Sequence, residues 1–157
     1  MGMSGANVVA LAGLVVIGIL VAAAVTDDPA GGSSSSAVVT QVVDGDTVEI
    51  ASGEHVRLIG VDTPERGTCG FGVATEAMRR MVESRTVVLV NPGSVQDRDA
   101  YGRLLRFVDV GGTDAGFAQI RSGRGKARYD SRDGYDSHPR EARYHRADRQ
   151  TAGVCDR

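Results

Sequence analysis

The feature that most constrains the fold lies between Val42 and Glu65, where two short apolar runs each carry acidic residues at one end. Asp44-Gly45 interrupts the first run and is a strong hairpin-turn signal. The second run is apolar on both faces except at Arg57. Acidic groups at strand ends beside an arginine make a poor core, but they suit a hard cation and a phosphate. The stretch predicts three strands, at Val38–Val43, Asp46–Ile50 and His55–Val61.

The rest of the pattern predicts two more strands and about three helices. Five short strands interrupted by helices favour a β-barrel with helices, of the five-stranded, partly open OB-fold type. No internal repeat is visible, which excludes the repeat architectures. The further predicted elements are a helix at Val73–Ser84, strands at Thr86–Val90 and Leu104–Val110, a short helix from a cap at Thr113 to Arg121, and a last helix capped by Ser137 or His138.

The amino-terminal stretch is predicted to lie outside the barrel. Val8–Val25 is an unbroken apolar run without a charge, close to the ~20 residues that cross ~30 Å of hydrocarbon as a helix. Residues 1–26 are therefore a signal peptide or an N-terminal membrane anchor, and both interpretations remain open. Residues 27–37, rich in Gly and Ser, are predicted to be a flexible tether, and residues 38–157 the barrel domain. Either leader implies export, as a secreted protein or one anchored to the cytoplasmic membrane and facing outward.

The two cysteines, Cys69 and Cys155, both follow the leader. An even pair in an exported chain favours a disulfide. A zinc site is disfavoured because the chain has no Cys-x-x-Cys motif and its histidines lack zinc-ligand spacing. Residues 44–120 are acidic overall and residues 121–157 basic, a layout suited to holding a cation beside an anionic polymer.

Three motifs carry the candidate chemistry, and each has a plain structural alternative. Val43–Val48 (VDGDTV) fits a tight turn, Asp62–Glu65 (DTPE) fits a helix start, and Asp99–Arg103 (DAYGR) fits a loop with a surface arginine. Together they are harder to dismiss, because three separate loops supply the residue types that one reaction needs. In order and spacing they resemble the signature blocks of the staphylococcal nuclease (thermonuclease, micrococcal nuclease) family. That resemblance runs from the first strand to the final helix.

The resemblance implies an OB-type barrel and a calcium-dependent phosphodiesterase. Such an enzyme cuts DNA and RNA without sequence specificity, prefers single strands, and leaves 3′-phosphate ends. It is expected to act as a monomer. Two tyrosines, Tyr101 and Tyr129, match positions that line the nucleotide pocket in that family, and a half-buried packing role for Tyr129 remains open.

The residue chemistry supports the same roles without the resemblance. Calcium prefers carboxylate and carbonyl oxygens, which Asp46, Asp62 and the Thr63 main chain can supply. Arg57 and Arg103 are forked donors suited to a phosphate. The list of roles is completed by Glu65, the remaining carboxylate, which would orient or deprotonate the attacking water.

The spacing of Arg57 and Asp62 leaves one question open. They lie five positions apart, so a regular strand would point their side chains to opposite faces unless it ends or twists first.

Outside the three motifs, the basic run Arg121–Arg132 is predicted to track a nucleic-acid backbone. Tyr135 and Tyr144 are predicted to be surface aromatics. The alternatives to an enzyme are a non-catalytic nucleic-acid-binding barrel and a calcium-stabilised structural domain.

Overall fold

The computed structural model describes residues 26–27 and 32–156. The predicted hydrophobic leader, Val8–Val25, therefore lies outside the described residues, as do residues 28–31 of the predicted tether. Within the described part of the chain, no helix is both long and apolar enough to cross a membrane.

The described residues form short strands and three α-helices, with a 3-10 turn at Ser131–Asp133 before the last helix. The helices are α1 Phe71–Val82, α2 Ala115–Arg121 and α3 Glu141–Arg149. The strands are β1 Thr26–Asp27, β2 Ser33–Val42, β3 Thr47–Ile50, β4 His55–Leu58, β5 Val61–Asp62, β6 Thr86–Asn91, β7 Leu104–Val110, β8 Thr113–Asp114 and β9 Lys126–Ala127.

Five strands form a barrel in the order β2-β3-β4-β7-β6, and β6 pairs back onto β2. The predicted OB-type barrel is confirmed, but it is closed rather than partly open. Closure depends on the length of β2, which pairs with β6 over Ser33–Val38 and with β3 over Val39–Val42, with a register shift between Val39 and Gln41. The β4–β7 pair is parallel and the other barrel pairs are antiparallel.

The flexible tether predicted over residues 27–37 is wrong for residues 33–37, which belong to β2. The serine run has little apolar surface, but a strand ladder is made by main-chain groups, and the valine-rich β6 offers a complete edge to pair with. A low-complexity composition predicts flexibility only where no partner edge is available.

Apolar residues from the barrel strands and all three helices form one core. Tyr144 of α3 is part of it, with 0% of its surface exposed, so its prediction as a surface aromatic is wrong. Its hydroxyl donates to the Asp114 carboxylate at 2.8 Å, and its ring meets Phe107 edge-on at 6.3 Å between centroids. A tyrosine can be fully buried when its hydroxyl has such a partner.

Element boundaries shift where side chains redirect the backbone. The predicted third strand stops at Leu58 and resumes as β5, and α2 is capped by Asp114, whose carboxylate accepts from the Phe117 N–H, rather than by Thr113. The last helix begins at Glu141, three residues after His138. The predicted Cys69–Cys155 disulfide is present, with 6.1 Å between the Cα atoms.

Candidate active site

A break in the third strand brings Arg57 and Asp62 together. β4 ends at Leu58, and Gly60 takes a φ of 72°, in the left-handed region that favours glycine. A Cβ at position 60 would also collide with the His138 ring. The chain therefore turns between the two residues, and the Arg57 Nη2 lies 3.6 Å from Asp62 Oδ1.

The Arg57 guanidinium is held from several sides. Its Nε lies 3.2 Å from Asp46 Oδ1, and its Nη1 donates to the carbonyl oxygens of Leu58 at 3.0 Å and Val61 at 2.6 Å. Only 11% of the side chain is exposed. Two main-chain carbonyl groups thus orient the planar guanidinium. Nη2 makes only the 3.6 Å contact with Asp62 and is the nitrogen that is held most weakly.

The Asp46 carboxylate is buried behind this arginine. Its Oδ2 accepts hydrogen bonds from the Thr63 N–H and hydroxyl, each at 2.7 Å, and its Oδ1 accepts one from the Thr47 hydroxyl at 3.2 Å. Burial raises the Asp46 pKa to about 6, and the nearby Asp44 charge adds to the rise, while Arg57 and the Thr63 hydrogen bonds oppose it. Burial therefore makes the ionised form of Asp46 costly, and Arg57 offsets part of that cost.

The donor set fits a hard divalent cation. Asp46 and the half-buried Asp62 both contact Arg57, Asp46 through Nε and Asp62 through Nη2, so the two carboxylates lie on the same guanidinium. Asp44 is used locally, because its Oδ1 accepts from the Asp46 N–H at 3.0 Å and shapes the turn. Oxygen ligands of this type suit calcium. To serve as a ligand, Asp46 would exchange its contact with Arg57 for the ion, which leaves the Thr63 hydrogen bonds in place.

Tyr129 covers the outer side of Arg57. The Arg57 Cζ lies 5.4 Å from the centroid of its ring, and the edge of Tyr135 packs against it at 5.5 Å between centroids. Tyr129 has a φ of 59° and donates its N–H to Asp133 Oδ2 at 2.7 Å. Desolvation raises the Tyr129 pKa, with a further rise from the Asp62 charge. Both rings are partly exposed, so Tyr135, predicted to be only a surface residue, belongs to the rim of the site.

Arg103 and Tyr101 lie at the start of the strand beside Arg57. In the parallel β4–β7 pair, Val56 is opposite Leu104, the residue after Arg103. Within residues 32–156, the carboxylate in ion-pair range of Arg103 is that of Asp99, 2.6 Å from Nε. Tyr101 is 85% exposed, and Arg103 lies 5.3 Å from its ring centroid. The pair thus lies just before β7, the strand that pairs with the one carrying Arg57, and Asp99 holds Arg103 through its Nε.

Glu65 lies two residues after Thr63 and is exposed. Its carbonyl oxygen accepts from the N–H of Thr68 at 3.0 Å and from its hydroxyl at 2.6 Å. The part of the chain that is described contains no ion pair to its carboxylate.

Sequence reasoning missed Gln119, which supports the site from behind. Its side chain is 0% exposed, and its Nε2 donates to the carbonyl oxygens of Gly45 at 2.8 Å and Ala74 at 2.9 Å. Its Oε1 accepts from Arg124 Nε at 2.9 Å. A lone amide on the apolar face of a short helix was the available signal, because such a group is buried only when fully hydrogen-bonded.

The basic run is less free than predicted. Lys126 lies 3.6 Å from Asp148, and Arg128 lies 3.6 Å from Asp133. These exposed pairs are weak and can rearrange, but part of the positive charge is offset within the fold.

Comparison with known proteins gives a partial match. No protein-family model matches the chain. Two curated relatives, each named "Uncharacterized endonuclease", from Escherichia coli O157:H7 and Escherichia coli, are 33% identical to it over 70 residues. The match covers 43% of this chain and 43% of each relative, so the chain spans less than half of their length. Membership of the staphylococcal nuclease family stays a prediction from the motifs.

Proposed function

We propose that this protein is a nuclease, a phosphodiesterase that hydrolyses DNA and RNA with the help of calcium. The observation that carries the proposal is the convergence of Asp46 and Asp62 on Arg57, beneath the exposed ring of Tyr129. Neither a core nor a tight turn requires two carboxylates around one nearly buried arginine. The partial similarity to two proteins named endonuclease supports the same activity.

Asp46, Asp62 and the Thr63 carbonyl would hold the calcium ion. When bound there, the ion would polarise the phosphate and offset charge that develops on it. Arg57 would exchange its carboxylate contacts for phosphate oxygens through Nη2 and Nε, while Nη1 keeps its main-chain contacts and fixes the fork. Arg103 would donate from its Nη atoms while Asp99 holds Nε. Both guanidiniums stabilise negative charge and neither transfers a proton.

Glu65 would orient and deprotonate the attacking water. It is an exposed carboxylate three residues after Asp62, and no basic side chain within residues 32–156 neutralises it by an ion pair. Attack by water forms a new P–O bond and breaks the bond from phosphorus to the 5′ oxygen. That oxygen takes up a proton and leaves as a 5′-hydroxyl, and the other strand end keeps the 3′-phosphate implied by the motif resemblance. Tyr129 and Tyr101 would stack on the base or sugar beside the reacting phosphate.

We also propose that the protein acts outside the cytoplasm. The exposed Cys69–Cys155 disulfide supports this, because such bonds persist in oxidising compartments. The apolar run of residues 8–25 supports export by a cleaved signal or a membrane anchor.

The test is to incubate the purified protein with plasmid DNA, single-stranded DNA and RNA, with calcium and then with a calcium chelator. We expect hydrolysis that stops on chelation and that falls by orders of magnitude in Glu65→Gln. Binding without cleavage in millimolar calcium would instead support the non-catalytic nucleic-acid-binding domain. Full activity of Glu65→Gln would refute the role given to that residue.

A further inference from the structure

The segment that carries Glu65 has few contacts with the rest of the fold. Glu65 to Cys69 are all exposed, and Gly67 and Gly70 have φ angles of 86° and 87°. The hydrogen bonds of Thr68 to the Glu65 carbonyl stay inside the segment. At its end, Gly70 begins α1 without a side-chain cap. The segment is thus anchored by Thr63 on one side. On the other side it is held by the contacts of Cys69 and Gly70 and by two contacts with Phe71 of α1, whose N–H donates to the Thr68 carbonyl at 3.4 Å and whose ring centroid lies 5.2 Å from Arg66 Cζ.

Those contacts lead to the carboxyl-terminal residues. Cys69 is bonded to Cys155, and a Cβ at Gly70 would lie 3.0 Å from Val154 Cγ2 and 3.3 Å from the sulfur of Cys155. Val154 is fixed in turn, because its N–H donates to the Gly123 carbonyl at 2.9 Å. The Glu65 segment is therefore linked to the turn that follows α2 in two steps, by the disulfide to Cys155 and by the Val154–Gly123 hydrogen bond.

That turn is connected to the cation side of the site. The Arg124 N–H donates to the Gln119 carbonyl at 3.0 Å, and the Gln119 side chain donates to the Gly45 carbonyl at 2.8 Å. Gly45 immediately precedes Asp46. Both Glu65 and Asp46 are consequently connected to Gln119. The connection of Glu65 runs through the disulfide, and that of Asp46 runs through the hairpin turn.

We propose that the Cys69–Cys155 bridge positions Glu65 for the reaction, so that nuclease activity depends on the thiol–disulfide state. The inference rests on the proposed function, because it needs Glu65 to act on the water. The position of Glu65 would depend on the disulfide, whereas the positions of the cation, Arg57 and Tyr129 would not, because none of the contacts of these groups involves Cys69 or Cys155.

Both cysteines are exposed and accessible to a dithiol reductant. A thiolate of the reductant attacks one sulfur and forms a mixed disulfide, and its second thiol then displaces the protein. Two electrons and two protons pass to the protein, which is left with the Cys69 and Cys155 thiols, while the reductant becomes a cyclic disulfide. No other cysteine is present to exchange with them.

Reduction leaves the Glu65 carboxylate free to sample several positions. A displacement of ~1 Å of a catalytic group can lower the rate by ~10²-fold. We expect reduction to lower kcat at least about tenfold on this basis. KM should stay unchanged, because Arg57 and Tyr129 keep their supports.

The experiment compares oxidised and dithiothreitol-reduced protein, each as wild type and as Glu65→Gln, on single-stranded DNA with calcium. The temperature is chosen so that circular dichroism shows all four samples folded. If the bridge acts through Glu65, reduction lowers wild-type kcat but leaves the residual kcat of Glu65→Gln unchanged. A general structural role would lower both by the same factor, and that result, or no effect on either, would overturn the inference.

A second variant avoids loss of the bond. Two glycines inserted between Val154 and Cys155 keep the disulfide but loosen its link to Gly123, and kcat should fall as in the reduced protein. A kcat equal to that of the oxidised wild type would contradict the inference. An inactive oxidised wild type would mean that the proposed function fails, whereas an active enzyme that is indifferent to reduction would refute the positioning role alone.

Discussion

Replacing Arg57 by lysine keeps the positive charge but removes the fork, and the structure allows the cost to be worked out. Arg57 makes polar contacts through three nitrogens: with Asp46 at 3.2 Å, with Asp62 at 3.6 Å, and with two main-chain carbonyls. One ammonium cannot occupy all three positions. If two hydrogen bonds to charged groups are lost in the transition state, at ~1.5–3 kcal/mol each, the barrier rises by ~3–6 kcal/mol.

At 1.36 kcal/mol per factor of ten, Arg57→Lys should lower kcat/KM by ~10²–10⁴-fold. The assay is the initial rate of single-stranded DNA hydrolysis in saturating calcium. Arg106→Lys is the matched control, since Arg106 lies on the adjacent strand, is 14% exposed, and also contacts a carboxylate and two carbonyls, of Asp97 and Leu105. A loss of less than tenfold in Arg57→Lys, or an equal loss in both variants, would show that position 57 supplies only charge or stability.

Three further outcomes are expected. With its pKa raised to about 6 from 3.8, Asp46 makes the free energy of unfolding fall as pH rises from about 4 to 6. Asp46→Asn should remove this dependence and the calcium-induced rise in Tm; a Tm that still rises with calcium would place the ion elsewhere. Tyr144→Phe should lower stability by ~1–3 kcal/mol, measured by urea unfolding, because the buried Asp114 loses a donor; an unchanged midpoint would contradict this. Gly60→Ala should lower Tm and activity together, because the left-handed φ and the His138 contact both oppose a Cβ. Retention of both in that variant would mean that the turn does not need glycine.

Local signals were enough to predict the barrel. The predicted strand Leu104–Val110 has the observed bounds, because a β-branched and aromatic run between turns forms a strand in most surroundings. The Asp44-Gly45 turn follows from two adjacent residues, and the disulfide follows from the presence of only two cysteines. Neither prediction depends much on which other elements pack nearby.

The errors arose where a distant element decides the outcome. The serine run of β2 becomes a strand because β6 offers an edge, and Tyr144 is buried because Asp114 receives its hydroxyl. Within the site, the acids and arginines were recognisable by type. The meeting of Asp46 and Asp62 at Arg57 depends on the left-handed turn at Gly60 and on Gln119 behind the hairpin, and neither appears in the spacing of the site residues.

The proposed calcium and phosphate sites share Arg57, and we therefore expect the two ligands to bind cooperatively. Without ligands, Asp46 and Asp62 are offset by the arginine, so binding the ion alone gives up those contacts and leaves the guanidinium without anionic partners. A phosphate that binds alone has to displace Arg57 from its two carboxylate partners, and these carboxylates repel it. When both bind, each carboxylate has a cation and the arginine has an anion, so neither cost remains.

Linkage requires the same coupling factor in both directions. Calcium titrations followed by calorimetry, with and without a thymidine bisphosphate, should give a Kd that tightens ~5–150-fold, the range typical of such coupling. In Arg57→Lys the factor should shrink, because the ammonium cannot exchange partners in the same way, whereas Arg106→Lys should retain it. Equal calcium affinity with and without the nucleotide would show that Arg57 does not link the two ligands.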